Sequence, residues 1–147
     1  MGSSLIDGVV ITPLKDIATN NGSVLHAMRK SDDGFHGFGE AYFSIVNYRA
    51  IRGWKRHQNM TLNLIVPVGE IKFVLIDDRQ PQRDIEQYEV ALSRKNYSRL
   101  TIPPGIWVGF QGLSKNESML LNLANLLHDP KESDHKEINQ FSYRWDI

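Results

Sequence analysis

Between Ile51 and Asp77 the chain alternates twice, once on each side of a single glycine. From Met60 to Val68, Leu62, Leu64 and Val66 fall on one face and Thr61, Asn63 and Ile65 on the other. After Gly69 and Glu70, Ile71, Phe73 and Leu75 alternate with Lys72, Val74 and Ile76. A period of two defines strands. Both faces carry side chains that need a place, and a closed sheet offers an inside and an outside for them. Just upstream, Ile51 to Asn59 reads as a strand carrying Lys55, Arg56, His57 and Asn59. Lys55 and His57 share a strand face, and continuing the same count places Asn63 with them.

The rest of the chain reads the same way. Short strands are expected at Gly8–Thr12, Val24–Met28, Phe38–Val46, Glu86–Leu92, Ile106–Phe110 and Phe141–Trp145. Turn signals stand at Asn20–Gly22 and Asp32–Gly34. Ser118–Leu127 has leucines that also suit a helix, but a barrel needs a strand there, and a strand is the reading adopted. Asp77–Asp84 and Asp129–Glu137 read as exposed loops. No repeat or linker divides the chain. The expectation is one all-β domain over residues 1–147, with Met1–Leu5 a disordered or appended start.

Composition removes several function classes. Seventeen basic and 17 acidic residues cancel, so bulk charge recruits neither nucleic acid nor an anionic membrane. The absence of cysteine excludes disulfides and thiolate chemistry and suits a cytoplasmic setting. No apolar run reaches the roughly 18–20 residues of a membrane span, and Met1–Ile6 lacks the shape of a signal peptide.

Five groups of residues carry a likeness to a known family. They are Arg52-Gly53-Trp54, Pro67 to Lys72, Asp77-Asp78-Arg79, Ile102 to Phe110, and Tyr143-Arg144-Trp145. On these the chain resembles the dTDP-4-dehydrorhamnose 3,5-epimerase family of the cupin superfamily and, more distantly, the sugar 3,4-ketoisomerases. The likeness runs from about Gly8 to Trp145. It implies a cupin-type jelly-roll β-barrel with a pocket in its mouth and a homodimer. It also implies metal-free chemistry without a cofactor on a nucleotide-linked keto sugar.

The chain departs from that pattern where chemistry is usually done. The metal-ligand slots of cupins read Lys55, His57, Leu62 and Val108, one donor of four, and a first-row metal needs at least three. The family's catalytic histidine slot is Lys55, and its tyrosine strand, Asn122–Leu127, holds no tyrosine. The remaining candidates for acid–base work are His57 and Lys55. Arg52 stands where the family faces a sugar diphosphate, a role guanidinium suits. Asn63, Glu40 and Tyr42 complete the candidate substrate-binding set. Each has a structural alternative: phosphate contact for Lys55, a hydrogen-bonded wall residue for His57, a surface ion pair for Arg52, a satisfied barrel amide for Asn63 and core packing for Tyr42. Trp107 reads as core or dimer interface, and His26, His36, His128 and His135 as surface residues. The leading functional reading is an epimerase- or isomerase-like cupin acting on a dTDP-type keto sugar in surface-polysaccharide synthesis. The alternative is a non-catalytic cupin that binds a sugar or nucleotide sugar.

Overall fold

The computed structural model describes residues 6–146. The expectation for Met1–Leu5 lies outside the described residues. Twelve strands build two five-stranded antiparallel sheets and one ribbon. In chain order the strands are β1 (Val10–Pro13), β2 (Asp16–Thr19), β3 (Gly22–Leu25), β4 (Glu40–Val46), β5 (Ile51–His57) and β6 (Leu62–Val68). They continue with β7 (Glu70–Asp77), β8 (Glu86–Ser93), β9 (Ser98–Ile102), β10 (Trp107–Gly112), β11 (Ser118–Ala124) and β12 (Ser133–His135). The first sheet has the order β1-β9-β6-β11-β4 and the second β12-β5-β10-β7-β8, while β2 and β3 pair as a hairpin. Among the described residues the only helical turns are 3-10 segments at Pro130–Glu132 and Ile138–Gln140. This is the expected all-β jelly roll, and Ser118–Ala124 is a strand.

The two sheets face each other across the apolar core. Leu64, Leu100 and Leu120 come from the first sheet and Phe73, Leu75 and Leu92 from the second, none more than 2% exposed. Burying each such side chain contributes about 1.5–3 kcal/mol. The alternation read in the sequence is therefore what holds the sandwich closed.

Gly69 does not make a hairpin. β6 lies in the first sheet and β7 in the second, so the glycine is a corner where the chain changes sheets. Its φ is +81°, and Ser118 closes over it. The Ser118 hydroxyl accepts from the Glu70 amide at 3.1 Å and donates to the Glu70 carbonyl at 3.2 Å. A β-carbon on Gly69 would stand 2.8 Å from the Ser118 Cα.

Two sequence expectations are corrected. Phe141–Trp145 is not a strand. It crosses the outer face of the second sheet, where its aromatic rings pack on Trp54, with centroids 5.1 Å away for Phe141 and 5.6 Å for Trp145. Lying over a face rather than beside an edge, it has no ladder to join. Asp129–Glu137 is not all loop either: Ser133–His135 forms β12 against β5. Its charges mask it, because an edge strand has one side in water and tolerates polar residues. Trp107, 2% exposed, belongs to the core.

Gly69→Ala is expected to lose about 1–3 kcal/mol, the usual cost of a side chain forced into a left-handed backbone. Urea unfolding checks this; an unchanged midpoint would mean the corner relaxes freely.

Candidate active site

A cavity of about 290 Å³ opens between the two sheets. The second sheet supplies Arg52, Lys55 and His57 from β5, and Val108 and Phe110 from β10. The first sheet supplies Tyr42 and Ser44 from β4, Leu62 and Leu64 from β6, and Leu120 and Asn122 from β11. His135 of β12 completes the wall beside β5.

Arg52 and Lys55 are three residues apart, an odd separation that normally sends strand side chains to opposite faces. Both line the cavity because β5 bulges. Lys55 pairs with Val108 and Arg52 with Phe110, so three steps on β5 match two on β10. The extra residue lies at Gly53–Trp54 and turns Trp54 outward into the second apolar cluster. Gly53 makes the close approach possible: a β-carbon there would stand 2.9 Å from the Gly109 Cα.

His57 is held by a carboxylate. Its Nδ1 donates to Glu132 Oε1 at 2.7 Å, and the other oxygen, Oε2, accepts from the amides of Asn59 and Met60, each at 2.7 Å. Burial depresses the His57 pKa, and the Glu132 carboxylate opposes that shift only in part; Lys55 and His135 push in the same direction as burial. For Glu132, burial alone would raise the pKa, but the hydrogen bonds from His57, Asn59 and Met60 outweigh it and hold the acid below its usual range. The consistent state is a neutral imidazole with its proton on Nδ1 and an ionised Glu132. That leaves the Nε2 lone pair free to act as a base.

Tyr42 faces the cavity from the opposite sheet. Its phenol is pushed up by burial and by Glu40, with Arg52 opposing. Beside it Asn122, paired with Tyr42 across the strands, donates to Ser44 Oγ at 3.0 Å. Arg52 lies over the Phe110 ring at 5.6 Å, an exposed cation at the mouth. Among the described residues neither Arg52 nor Lys55 forms an ion pair. Two cations facing one cavity without carboxylate partners suit an anionic ligand.

The structure thus gathers four of the six sequence candidates: Arg52, Lys55, His57 and Tyr42. Asn63 is elsewhere. It lies on the other face of β6, where its amide nitrogen donates to the Gly34 carbonyl at 2.9 Å and its oxygen accepts from Thr101 at 2.6 Å. The strand count failed because the chain changes sheets between His57 and Leu62, so spacing no longer carries a face across. Glu40 does not line the cavity; its carboxylate accepts from the His128 amide at 3.1 Å. His135, expected as a surface residue, is exposed but lines the cavity mouth. Glu132 was missed entirely, since nothing local to residue 132 marks a partner 75 positions away. Among the described residues no three His, Asp or Glu side chains gather as a metal site, and no helix is long and apolar enough to cross a membrane.

The same barrel recurs in solved structures. A crystal structure of a dTDP sugar isomerase from Desulfovibrio desulfuricans superimposes with a TM-score of 0.89 at 34% identity, covering 95% of this chain and 92% of that one. This chain belongs to the dTDP-sugar isomerase and epimerase family. The 3,4-ketoisomerase QdtA of Thermoanaerobacterium thermosaccharolyticum, solved with TDP-4-keto-6-deoxyglucose, shares the fold with a TM-score of 0.74 at 22% identity, covering 90% of each chain. A Haloferax volcanii protein named "probable low-salt glycan biosynthesis epimerase Agl13" is 25% identical over 138 residues, 90% of this chain and 87% of its own. No family profile matches the chain.

The electrostatics predict a stability profile. His57 and Glu132 both have depressed pKa values in the folded state, so the unfolded chain binds their protons more readily. Their stabilising contributions are present above the unfolded values, about 6.5 for His and about 4.3 for Glu, and are lost as pH falls. Unfolding free energy should therefore begin to drop below about pH 6.5, and His57→Gln should remove the part of that loss which sets in first, ahead of the Glu132 contribution. Urea titrations at stepped pH read this out; identical profiles for both proteins would contradict it.

Proposed function

We propose that this protein is an isomerase or epimerase of a dTDP-linked keto sugar, working in the cytoplasm in the synthesis of a surface polysaccharide or other glycan. The reading rests on one observation above the others: a carboxylate-anchored neutral imidazole, His57, faces a cavity that also carries Arg52 and Lys55, two cations without an ion-pair partner among the described residues. Family membership supplies the substrate class. Arg52 contacts the diphosphate, Lys55 stabilises negative charge developing on the sugar, and Tyr42 and Asn122 hold the sugar from the opposite sheet. His57 removes a proton from the carbon next to the keto group, while Glu132 fixes its tautomer and supports the imidazolium that forms. No metal or cofactor is called for by this donor set.

The test is deuterium uptake from heavy water into dTDP-4-keto-6-deoxyglucose, followed by mass spectrometry. A positioned acid–base group is worth about 10²–10⁴-fold, so His57→Gln should lose that much exchange while thymidine diphosphate affinity changes little. Uptake unchanged in His57→Gln removes His57 from the chemistry. Nucleotide-sugar binding without exchange in the wild-type protein favours a binding module instead.

We also propose a homodimer formed through the outer face of the first sheet. Phe43, Ile45 and Val68 are 61%, 45% and 52% exposed. Cross-strand pairing sets them in two rows, Phe43 with Leu121, and Ile45 with Met119 and Val68. A contiguous apolar patch of this kind is unusual on a monomer. Phe43→Asp should shift the protein from dimer to monomer in sedimentation velocity; a wild-type monomer would refute the proposal.

A further inference from the structure

The strand that brings Glu132 to His57 brings a second imidazole with it. β12 pairs antiparallel with β5 so that Ser133 stands opposite His57 and His135 opposite Lys55. Residues directly opposite in a ladder share a face. Lys55 and His57 both line the cavity, so His135 projects into it as well. His57 and His135 are then diagonal neighbours on adjacent strands, a separation of about 7–8 Å with the β-carbons somewhat closer. Two imidazoles at that spacing can serve one sugar carbon and the oxygen beside it. They also sense each other, since His135 helps depress His57.

The surroundings of the two rings differ. His57 is locked by Glu132 and nearly buried, its side chain 11% exposed. His135 is at the mouth and exposed, and its only hydrogen-bond neighbour among the described residues is the Ser133 hydroxyl, 3.4 Å from Nε2. The titratable and charged groups packed around it are Lys55 and His57 on β5, Arg56 and Asp134 on the outer face of the same strand pair, and Glu132 beyond His57. One ring is therefore fixed to work at a single atom, and the other is free to move between two.

We propose that His135 is the second proton-handling group of this cavity, exchanging protons with the sugar oxygens while His57 serves the carbon. This rests on the reading of the cavity as a keto-sugar site. In the forward step the C–H bond next to the keto group breaks and its proton goes to His57 Nε2. The electron pair forms the carbon–carbon double bond, and protonated His135 gives its proton to the former keto oxygen, leaving a neutral enediol. In the second step the neighbouring hydroxyl returns a proton to His135 and becomes the new keto group. His57 then delivers its proton to the former carbonyl carbon. Both rings end as they began. Because both lie on one wall, the proton returns to the face it left, and the product is the neighbouring keto isomer rather than an inverted centre.

The experiment compares wild type, His57→Gln and His135→Gln with dTDP-4-keto-6-deoxyglucose in heavy water. Product is identified by proton and carbon nuclear magnetic resonance, turnover is measured across pH, and thymidine diphosphate affinity is measured by calorimetry. Thermal unfolding of each variant confirms that it is folded, as expected above all for His135→Gln at an exposed position. The expected result is a wild-type product with its keto group moved to the adjacent carbon. His135→Gln should lower kcat by about 10²-fold or more with thymidine diphosphate affinity within about threefold, and should lose one limb of the pH profile that His57→Gln keeps. Three outcomes overturn the proposal. Unchanged turnover and pH profile in His135→Gln removes the residue from the chemistry while leaving the keto-sugar reading intact. Weakened thymidine diphosphate binding with unchanged kcat makes it a phosphate contact only. A wild type that neither exchanges nor converts the sugar removes both this proposal and the reading beneath it.

Discussion

One carboxylate holds the functional end of this barrel together. Glu132 is 8% exposed and sits where the chain leaves the second sheet after His57 and enters the first at Leu62. Its two oxygens take His57 Nδ1 and the amides of Asn59 and Met60, and its backbone carbonyl accepts from the Gln58 amide at 2.8 Å. A buried charge is costly unless its lone pairs are satisfied. Here each oxygen has short donors, and two of them are amides at a sheet crossing that would otherwise lack acceptors. The same bonds therefore pay for burial, close the corner and orient the imidazole. Everything proposed for the cavity depends on this arrangement, because without it His57 has no fixed tautomer and β12 has no anchor at its start.

A second constraint acts from the opposite face of β5. The bulge at Gly53–Trp54 directs the indole outward, where its Nε1 donates to the Ile138 carbonyl at 3.0 Å and its ring meets Phe141 and Trp145. Lys136 extends this packing, its ammonium 4.9 Å from the Trp107 ring centroid and 4.8 Å from that of Phe141. The tail beyond β12 is thus clamped to the strand that carries Arg52, Lys55 and His57. Rigid backing of this kind keeps side chains within the small tolerance that proton transfer requires. The C-terminal segment serves the cavity twice, first through Glu132 and His135 and then through the aromatic clamp.

The sequence made the barrel legible because period-two alternation reports burial directly. Met60–Val68 and Ile71–Asp77 could be read as strands with two occupied faces, and they are. The Arg52–His57 run could be placed at a cavity because of its likeness to the family motif that begins at Arg52-Gly53-Trp54. What stayed hidden depended on partners distant in the chain. Glu132 lies in a run of charged residues, and only the fold shows that it is buried. β12 is three residues long and polar, below any periodic signal. Asn63 was misplaced for a related reason: alternation fixes a face only while the chain stays in one sheet, and Gln58–Thr61 leaves one sheet for the other.

The departures from the family pattern look different once the geometry is known. The expected histidine slot holds Lys55 and the other holds Val108, which reads in sequence as lost chemistry. In the folded chain the lysine stands between two imidazoles, His57 two residues along the same strand and His135 directly across the ladder. Lys55 and His135 both act to keep His57 neutral, and a neutral ring is the form that can accept a carbon-bound proton. A histidine at position 55 would supply a base without that fixed positive neighbour. Under the proposed function, a lysine flanked by two imidazoles separates two tasks: Lys55 faces the negative charge that develops on the sugar, and His57 and His135 carry protons. On this view the site has redistributed its acid–base groups along β5 and β12 rather than surrendered them.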